Sequence, residues 1–451
     1  MIAAILAVVL FTRQSYPPVP PAADSPAIGA NIQRTMTLLA TSTPQKRNKV
    51  RILFYGQSIT EQNWWKLTAE DLRKRFPNAD LEIENKAVGG FASQILVRLA
   101  EHDVPTFYPD LVIFHVYGAN NTYEEIIRSI RTRTTAEVLI QKDHVAAQWP
   151  VENPDQKNPM WWDHMMNNVF LPDYAKKYRC GLADVRSGWV GYLKANNLQP
   201  KALLSDDVHL NDHGCFVMSE LVKRYLVHKP DLLTDDARNS VRTFEVGKDV
   251  KREGQSLKLS FEGNRIDLLA AKGGGGTAKI LIDGKKPSEF AACTAFTRTS
   301  PSQSWWGPAL LRVSSDKPRE IEDWLLKVTE VDEKADHIRF TVAGSKTGAD
   351  GEGVSSERFV SKSGRVVIEP GDWWVKNIHQ MGKKLPVGFE IKWKAVPLAT
   401  DTFVAPKVED ESREASVTVA QGLPNGKHTL EIVGPASIRA IRIYRPPFAA
   451  P

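Results

Sequence analysis

From Val50 onward, apolar runs of strand length alternate with segments that repeat at helical spacing, and this alternation limits the fold more than any other feature of the chain. Val50-Arg51-Ile52-Leu53-Phe54-Tyr55 is a buried-strand run ended by Gly56. Residues 62–76 carry Trp65, Leu67, Leu72 and Phe76 among charges and predict a helix. Leu81 to Val88 is a second strand, and residues 92–101 a second helix. Asp110 to Val116 is the clearest strand, followed by a helix near 122–132 and a fourth strand from Ala136 to Gln141. A polar loop with three prolines spans 142–160. A helix over 161–178, a strand from Gly181 to Val185 and a last helix over 212–228 complete the series. Such a series predicts a parallel sheet covered by helices on both faces, a three-layer α/β/α unit.

Past residue 235 the rhythm becomes that of short alternating strands. Leu257 to Phe261, Arg265 to Leu269 and Ala278 to Ile282 are the first, with Asp283-Gly284 as a turn signal. His428 to Val433 and Ile438 to Tyr444 return to the same style. A mostly β half follows, with a sandwich as the economical arrangement and a looser insertion at about 291–420. The expected organisation is therefore a leader and linker (1–47), an α/β unit (48–232) and a β-rich unit (233–451).

The first segment points to export. Ile2 to Phe11 is an unbroken apolar run, too short to span a bilayer and of the length of a signal-peptide core, although no Lys or Arg precedes it. Pro17, Pro18, Pro20 and Pro21 follow, then Ala22 and Ala23, and residues 12–47 read as a Pro/Ser/Thr/Ala-rich linker. A secreted or periplasmic location is the expectation, without stable membrane insertion. The 42% hydrophobic and 25% charged residues exclude whole-chain disorder. The net charge of +6 comes with no dense basic cluster interleaved with aromatics, so nucleic acid is not an expected partner. Three cysteines exclude a disulfide framework and leave at least one thiol unpaired, with a Cys180–Cys215 bridge left open.

Parallel α/β sheets place their sites at the carboxyl ends of the strands. There the chain puts Gly56-Gln57-Ser58, then Val88-Gly89-Gly90, then Gly118-Ala119-Asn120-Asn121, and before the last helix Asp206-Asp207-Val208-His209. These residues suit acyl transfer. Ser58 is the candidate nucleophile and His209 its base. Asp206, favoured over Asp207 by its spacing, would fix the imidazole. The Ser58 and Gly90 N–H groups and the Asn120 amide would form an oxyanion hole. Each residue has a plainer reading: Ser58 as a helix cap, Gly90 as a turn glycine, Asn120 as a loop amide. His213, four residues after His209, invites a metal reading, but no third ligand cluster accompanies it. No metal and no cofactor are expected.

The four blocks stand in the order of the SGNH, or GDSL-type, hydrolases, and over about residues 48–230 the chain resembles that superfamily. Two positions depart from its pattern. Gly-Asp-Ser is here Gly-Gln-Ser, and Gly-x-Asn-Asp is Gly-Ala-Asn-Asn. A Gln before the serine resembles the sialate O-acetylesterase and acetylxylan-esterase branch. The resemblance implies a serine esterase that removes acyl groups, acetyl foremost, from a carbohydrate through a covalent acyl-enzyme. A short-chain carboxylesterase or lipase, a polysaccharide O-acyltransferase and a non-catalytic glycan-binding protein are the alternatives. Eight of the twelve tryptophans fall in adjacent pairs, at 64–65, 161–162, 305–306 and 373–374. Neighbours in a strand point to opposite faces, so one indole of a pair can meet a sugar ring while the other is buried. Gln57, Trp149, Trp306 and Trp373 are the substrate-contact candidates. The β half resembles jelly-roll modules that accompany carbohydrate esterases. It is expected to serve recognition or the fold, with no bond-breaking set of its own.

Overall fold

Five parallel strands carry the α/β part of the computed structural model, which describes residues 16–21, 28–302, 307–334 and 336–449. The elements are α1 (Gln33–Ala40), β1 (Lys49–Gly56), the single turn α2 (Ser58–Glu61), α3 (Trp64–Arg75), β2 (Asp80–Asn85), α4 (Ser93–Phe107), β3 (Leu111–His115), α5 (Asn120–Arg133) and β4 (Glu137–Gln141). α6 (Trp161–Met165) runs through a π-turn into α7 (Leu171–Lys177), and β5 (Gly181–Ala183), α8 (Val185–Ala195) and α9 (Asp212–Lys223) follow. The strand order is β2-β1-β3-β4-β5. The chain therefore steps outward from β1 to β2 and then back across β1 to β3, which makes the β1/β3 ends a topological switch point.

β1 shows why this sequence makes a central strand. Ile52 and Phe54 pack with α1, α3, α8 and α9, through Met36, Leu39, Leu72, Trp189 and Leu221. Leu53 and Tyr55 point the other way, against Leu96 and Leu99 of α4 and Ile126 and Ile127 of α5. Both faces are dry, so the run is continuously apolar rather than alternating. Each such side chain contributes roughly 1.5–3 kcal/mol on burial.

Two elements differ from the sequence reading. Residues 33–40 are a helix rather than linker, because Ile32, Met36 and Leu39 recur at helical spacing and are almost wholly buried. The Glu137 carboxylate accepts the Arg34 and Thr35 N–H groups at 2.9 and 2.8 Å, closing the open end of α1 from β4. α8 went unread because Gly188 and Gly191 dilute its pattern, yet Trp189, Tyr192 and Leu193 are completely buried. The apolar run Ile2–Phe11, Ala22 and Ala23 lie outside the described residues. No helix among the described residues is long and apolar enough to cross a membrane.

The remaining strands are β6 (Val241–Glu245), β7 (Arg252–Glu253), β8 (Ser256–Ala270), β9 (Thr277–Ile282), β10 (Thr294–Phe296), β11 (Asp323–Val331), β12 (Ile338–Gly344), β13 (Gly348–Val354), β14 (Phe359–Val360), β15 (Val367–Ile368), β16 (Glu390–Pro397), β17 (Thr402–Val404), β18 (Ser416–Val433) and β19 (Ile438–Tyr444). They form a mostly antiparallel region. One seven-stranded sheet follows the path β17-β9-β18-β8-β19-β6, with β7 on β8. Leu257–Phe261 and Arg265–Leu269, expected as separate strands, are halves of the single strand β8. It continues through Gly263, where a Cβ would lie 2.4 Å from the Tyr444 carbonyl oxygen. β8 and β18 thus stay paired within one sheet along their length, with register shifts at Thr418/Ala420 and Gln421/Gly426.

A five-stranded sheet, β10-β16-β11-β12-β13, is inserted between β9 and β17. The seven-stranded sheet meets the last turns of α4 and α5, and the insertion packs along α4. At the far end from the switch point, Asn264 donates to the Arg133 carbonyl at 2.8 Å and Gln421 to the Pro105 carbonyl at 2.7 Å. The inserted part lies along α4 toward the strand ends, where Arg312 bridges Glu101 and Asp372 and Trp374 meets Phe91 edge-on at 4.5 Å. One apolar cluster runs from Leu99 and Ile127 into Trp324, Phe340 and Ile391 of the insertion.

Candidate active site

β1 ends in a turn so tight that only glycine fits. A Cβ on Gly56 would lie 1.9 Å from the carbonyl oxygen of His115 on β3. The close approach swings Ser58 out at the start of α2, beside the switch point. Its hydroxyl caps no helix. Ser58 Oγ instead lies 2.9 Å from His209 Nε2, and His209 Nδ1 lies 2.7 Å from Asp206 Oδ2. With Nδ1–H donating to the carboxylate, Nε2 is free to accept the serine proton. The other carboxylate oxygen of Asp206 accepts the His209 and Val208 N–H groups at 2.6 and 2.7 Å. Those backbone donors, with the imidazole after them, hold the Asp206 carboxyl down at about 2. Asp207 turns away to Lys201 at 2.8 Å. The relay is open to solvent, with the His209 and Asp206 side chains 41% and 56% exposed.

Gly90 and Asn120 lie on the loops flanking this turn. Gly90 follows β2 with φ of 76°, a left-handed conformation that favours glycine. The Asn120 amide, at the start of α5, donates to the Tyr174 hydroxyl at 3.3 Å, and that hydroxyl donates to the Asn120 carbonyl at 3.2 Å. A serine, an imidazole, a carboxylate and two flanking loops at one set of strand ends make an arrangement suited to nucleophilic attack with charge-stabilising donors.

Several residues that hold this arrangement were not legible in the sequence. Gln62 joins the nucleophile turn to the histidine loop through a reciprocal pair. Its amide donates to the Leu210 carbonyl at 2.8 Å, and its oxygen accepts the Leu210 N–H at 2.9 Å. His144, just past β4, lies 2.8 Å through Nε2 from the Val208 carbonyl, while Ala147 N–H donates to the Asp207 carbonyl at 3.0 Å. Behind them runs a buried polar chain. His115 Nε2 is 3.0 Å from Asp143, Asn167 bonds both Asp143 and the Asp163 carbonyl, and Arg186 pairs with Asp163 and donates to the His144 carbonyl. Burial, with the neighbouring His115 adding to it, lowers His144 to about 4.

The substrate-contact candidates fare unevenly. Gln57 is buried at the base of the turn, where its carbonyl accepts the Thr60 and Glu61 N–H groups, so it frames the site rather than facing outward. Trp149 bonds Gln199 at 3.2 Å and is partly buried against the apolar cluster that contains Ile59, Leu204 and Leu210. Trp373 packs against Phe340, with ring centroids 5.2 Å apart, inside the insertion. Trp306 lies outside the described residues. Among the described pairs, Trp161–Trp162 is the one that reaches the surface near the site. From Trp162, 40% exposed, a row of ring contacts of 5.8 and 6.3 Å runs through Phe170 to Tyr174, the partner of Asn120. His213 does not join His209. Its Nε2 is 2.6 Å from the Tyr192 hydroxyl, and its ring stacks on Tyr16. Cys180, Cys215 and Cys293 are buried free thiols, so the 180–215 bridge left open by the sequence is not formed.

No family model matches the chain, and no curated protein matches it. Among solved structures the chain is similar to an α/β hydrolase enzyme from the metagenome of Lake Arreo, Spain. That likeness is 17% identical at a TM-score of 0.34, over 41% of this chain and 98% of the other. It is similar to an acetylxylan esterase from Geobacillus stearothermophilus, 17% identical at a TM-score of 0.35, over 42% of this chain and 99% of the other. A two-domain esterase active on acetylated mannans is 15% identical at a TM-score of 0.36, over 93% of this chain and 97% of that one. At this level of likeness the site has to be read from its own geometry.

Proposed function

We propose that this protein is a serine esterase of the SGNH type that hydrolyses acyl esters, O-acetyl foremost, on a carbohydrate. The observation that carries the reading is the relay Asp206–His209–Ser58, with hydrogen-bond distances of 2.7 and 2.9 Å. In the first half-reaction His209 takes the Ser58 proton as Oγ attacks the ester carbonyl. The oxyanion of the tetrahedral intermediate is received by the Ser58 and Gly90 N–H groups and the Asn120 amide. Each such donor is worth about 3 kcal/mol in the transition state. His209 then protonates the departing sugar oxygen, leaving acyl-Ser58. Water, deprotonated by the same imidazole, hydrolyses that ester, and the proton returns to Ser58. Asp206, ionised throughout, stabilises the imidazolium each time it forms.

Two features support a carbohydrate as the alcohol part. The relay is open enough to meet an ester carried on a bulky chain. The aromatic row from Trp162 to Tyr174 leads to Asn120, and indole faces suit the apolar faces of sugar rings. The α/β part (48–232) carries the chemistry in this reading, and the β-rich part (233–451) braces it.

The test is acetate release from a panel of acetylated polysaccharides and from a small chromogenic acetate ester, comparing the protein with Ser58→Ala. The variant should fold and lose essentially all turnover on both. Near-full activity of folded Ser58→Ala would reject the serine mechanism. Activity confined to long-chain acyl esters would favour a lipase instead.

A further inference from the structure

The loop 86–90, which carries Gly90 to the site, is fixed from two sides. Its inner side hangs on the nucleophile strand, with Lys86 N–H donating to the Phe54 carbonyl and Val88 N–H to the Gly56 carbonyl, both at 3.0 Å. Its outer side is held from the other half of the chain. Arg298, two residues past β10 in the insertion, donates through Nη2 to the Lys86 carbonyl at 2.7 Å. The same guanidinium is forked onto Asp103 of α4, with Nε 2.9 Å from Oδ1 and Nη2 2.5 Å from Oδ2. Asp103 is only 4% exposed and also accepts the Tyr55 hydroxyl at 2.9 Å, one residue before the Gly56 turn. The guanidinium charge also acts on Glu61, the last residue of α2, whose carboxylate accepts the Gly89 N–H.

We propose that Arg298 is a positioning residue for the oxyanion loop: through the Lys86 carbonyl and Asp103 it sets residues 86–90, and so the Gly90 N–H, against the nucleophile turn. The inference rests on the esterase reading above and extends it. The catalytic groups all come from the α/β part, but the alignment of one of them is completed by the insertion. An ordinary interface ion pair would need Asp103 alone. Here a rigid fork spends one more donor on a backbone carbonyl of the very loop that has to be placed, which lysine cannot copy.

Glu61 gives the arrangement a distinctive pH signature. Glu61 is at the surface, and partial desolvation raises its carboxyl, while the Gly89 N–H and the Arg298 charge oppose the rise. The other charged and titratable groups around this cluster are Asp103, Tyr55, His102 of α4, and Lys86 with its partner Glu84 at 3.4 Å. Without the guanidinium, Glu61 protonates at higher pH and loosens its hold on the Gly89 N–H. The acid limb of turnover, set first by protonation of His209, then moves to higher pH.

The experiment measures kcat and KM for a small chromogenic acetate ester across pH, with thermal melting, for the full chain and for Arg298→Gln, Arg298→Lys, Arg312→Gln and Ser58→Ala. Arg298→Gln should lower kcat about tenfold, a fraction of the 10²–10³ lost with a whole oxyanion donor. KM should stay within about twofold, and the acid limb should move up. Arg298→Lys should return the acid limb toward its original place while kcat stays low. Arg312→Gln cuts the ion pairs to Glu101 and Asp372 without touching loop 86–90. If it lowered kcat as much as Arg298→Gln, or if Arg298→Gln kept the original kcat and acid limb, the positioning role would be overturned. Full turnover by Ser58→Ala is a separate outcome that overturns the esterase reading itself.

Discussion

An imidazole can be oriented by only one of two adjacent carboxylates, and the backbone makes the choice. Asp206 sits where the loop doubles back, so one of its oxygens ties the Val208 and His209 N–H groups and leaves the other on Nδ1. Asp207 faces solvent and Lys201. Asp206→Asn removes the charge that stabilises the imidazolium and offers an amide donor to the wrong nitrogen tautomer. It should lower kcat by about 10²–10⁴-fold. Asp207→Asn breaks only a solvent-screened ion pair and should leave kcat within about twofold. A steady-state comparison of the two variants checks the assignment, and a larger loss from the Asp207 change would reverse it. At this scale the sequence announces chemistry but not support. The parts proposed for Ser58, Gly90, Asn120 and His209 are legible because reactive residue types stand at strand ends. Gln62 and Tyr174 are not, because an ordinary amide and an ordinary phenol gain their roles from partners at Leu210 and Asn120, 148 and 54 residues away.

Among the elements, the strands of the α/β part are legible because burial on both faces forces unbroken apolar runs, as in β1 and β3. α1 and α8 are hidden for the opposite reason. Polar residues dilute α1 and two glycines interrupt α8, and both become helices by docking on the sheet, with Glu137 closing the start of α1 and Trp189 buried on the inner side of α8. In the proposed reading the segment α6–α7 bears most on substrate. Its π-turn buries Asn167 against Asp143, and its outward side carries Trp162 and Phe170 toward Tyr174. Removing an indole that stacks on a sugar costs about 1 kcal/mol, close to a fivefold change. Trp162→Ala should therefore raise KM for an acetylated polysaccharide several-fold and leave the small acetate ester untouched. Equal effects on both substrates would mean that Trp162 shapes the catalytic turn instead of a sugar subsite. Trp373, read from the sequence as a sugar contact, shows how a paired indole can serve packing instead. Trp374 meets Phe91 and Trp373 meets Phe340, so adjacency here serves packing between parts of one core.

For the molecule as a whole, the buried polar chain behind the site couples stability to pH. His144 is enclosed by Tyr117, His115, Asp143, Arg186 and Trp189. Nε2–H donates to the Val208 carbonyl at 2.8 Å, and Nδ1 faces the Tyr117 hydroxyl at 3.4 Å, so the ring fits its surroundings only when neutral. Its folded value of about 4 lies below the ordinary histidine value near 6.5. Between those two values the unfolded chain binds the proton and the folded chain refuses it, so folding stability falls as pH drops through that window. About 2.5 units of difference correspond to roughly 3 kcal/mol, lost between pH 6.5 and 4. Glu137, raised by burial, tilts stability the opposite way, but it is common to any pair of proteins that differ only at position 144. His144→Gln retains an N–H that can reach the Val208 carbonyl and removes the titration. Urea unfolding at pH 7, 5.5 and 4.5 should show the variant closing on the original protein as pH falls, with the gap changing by up to that amount. Parallel curves would show that the imidazole takes up its proton in the folded state. Because the Val208 carbonyl precedes His209 directly, the same bond links the fold to the catalytic loop. The loss of stability in acid should then be accompanied by a loss of turnover that His144→Gln moderates.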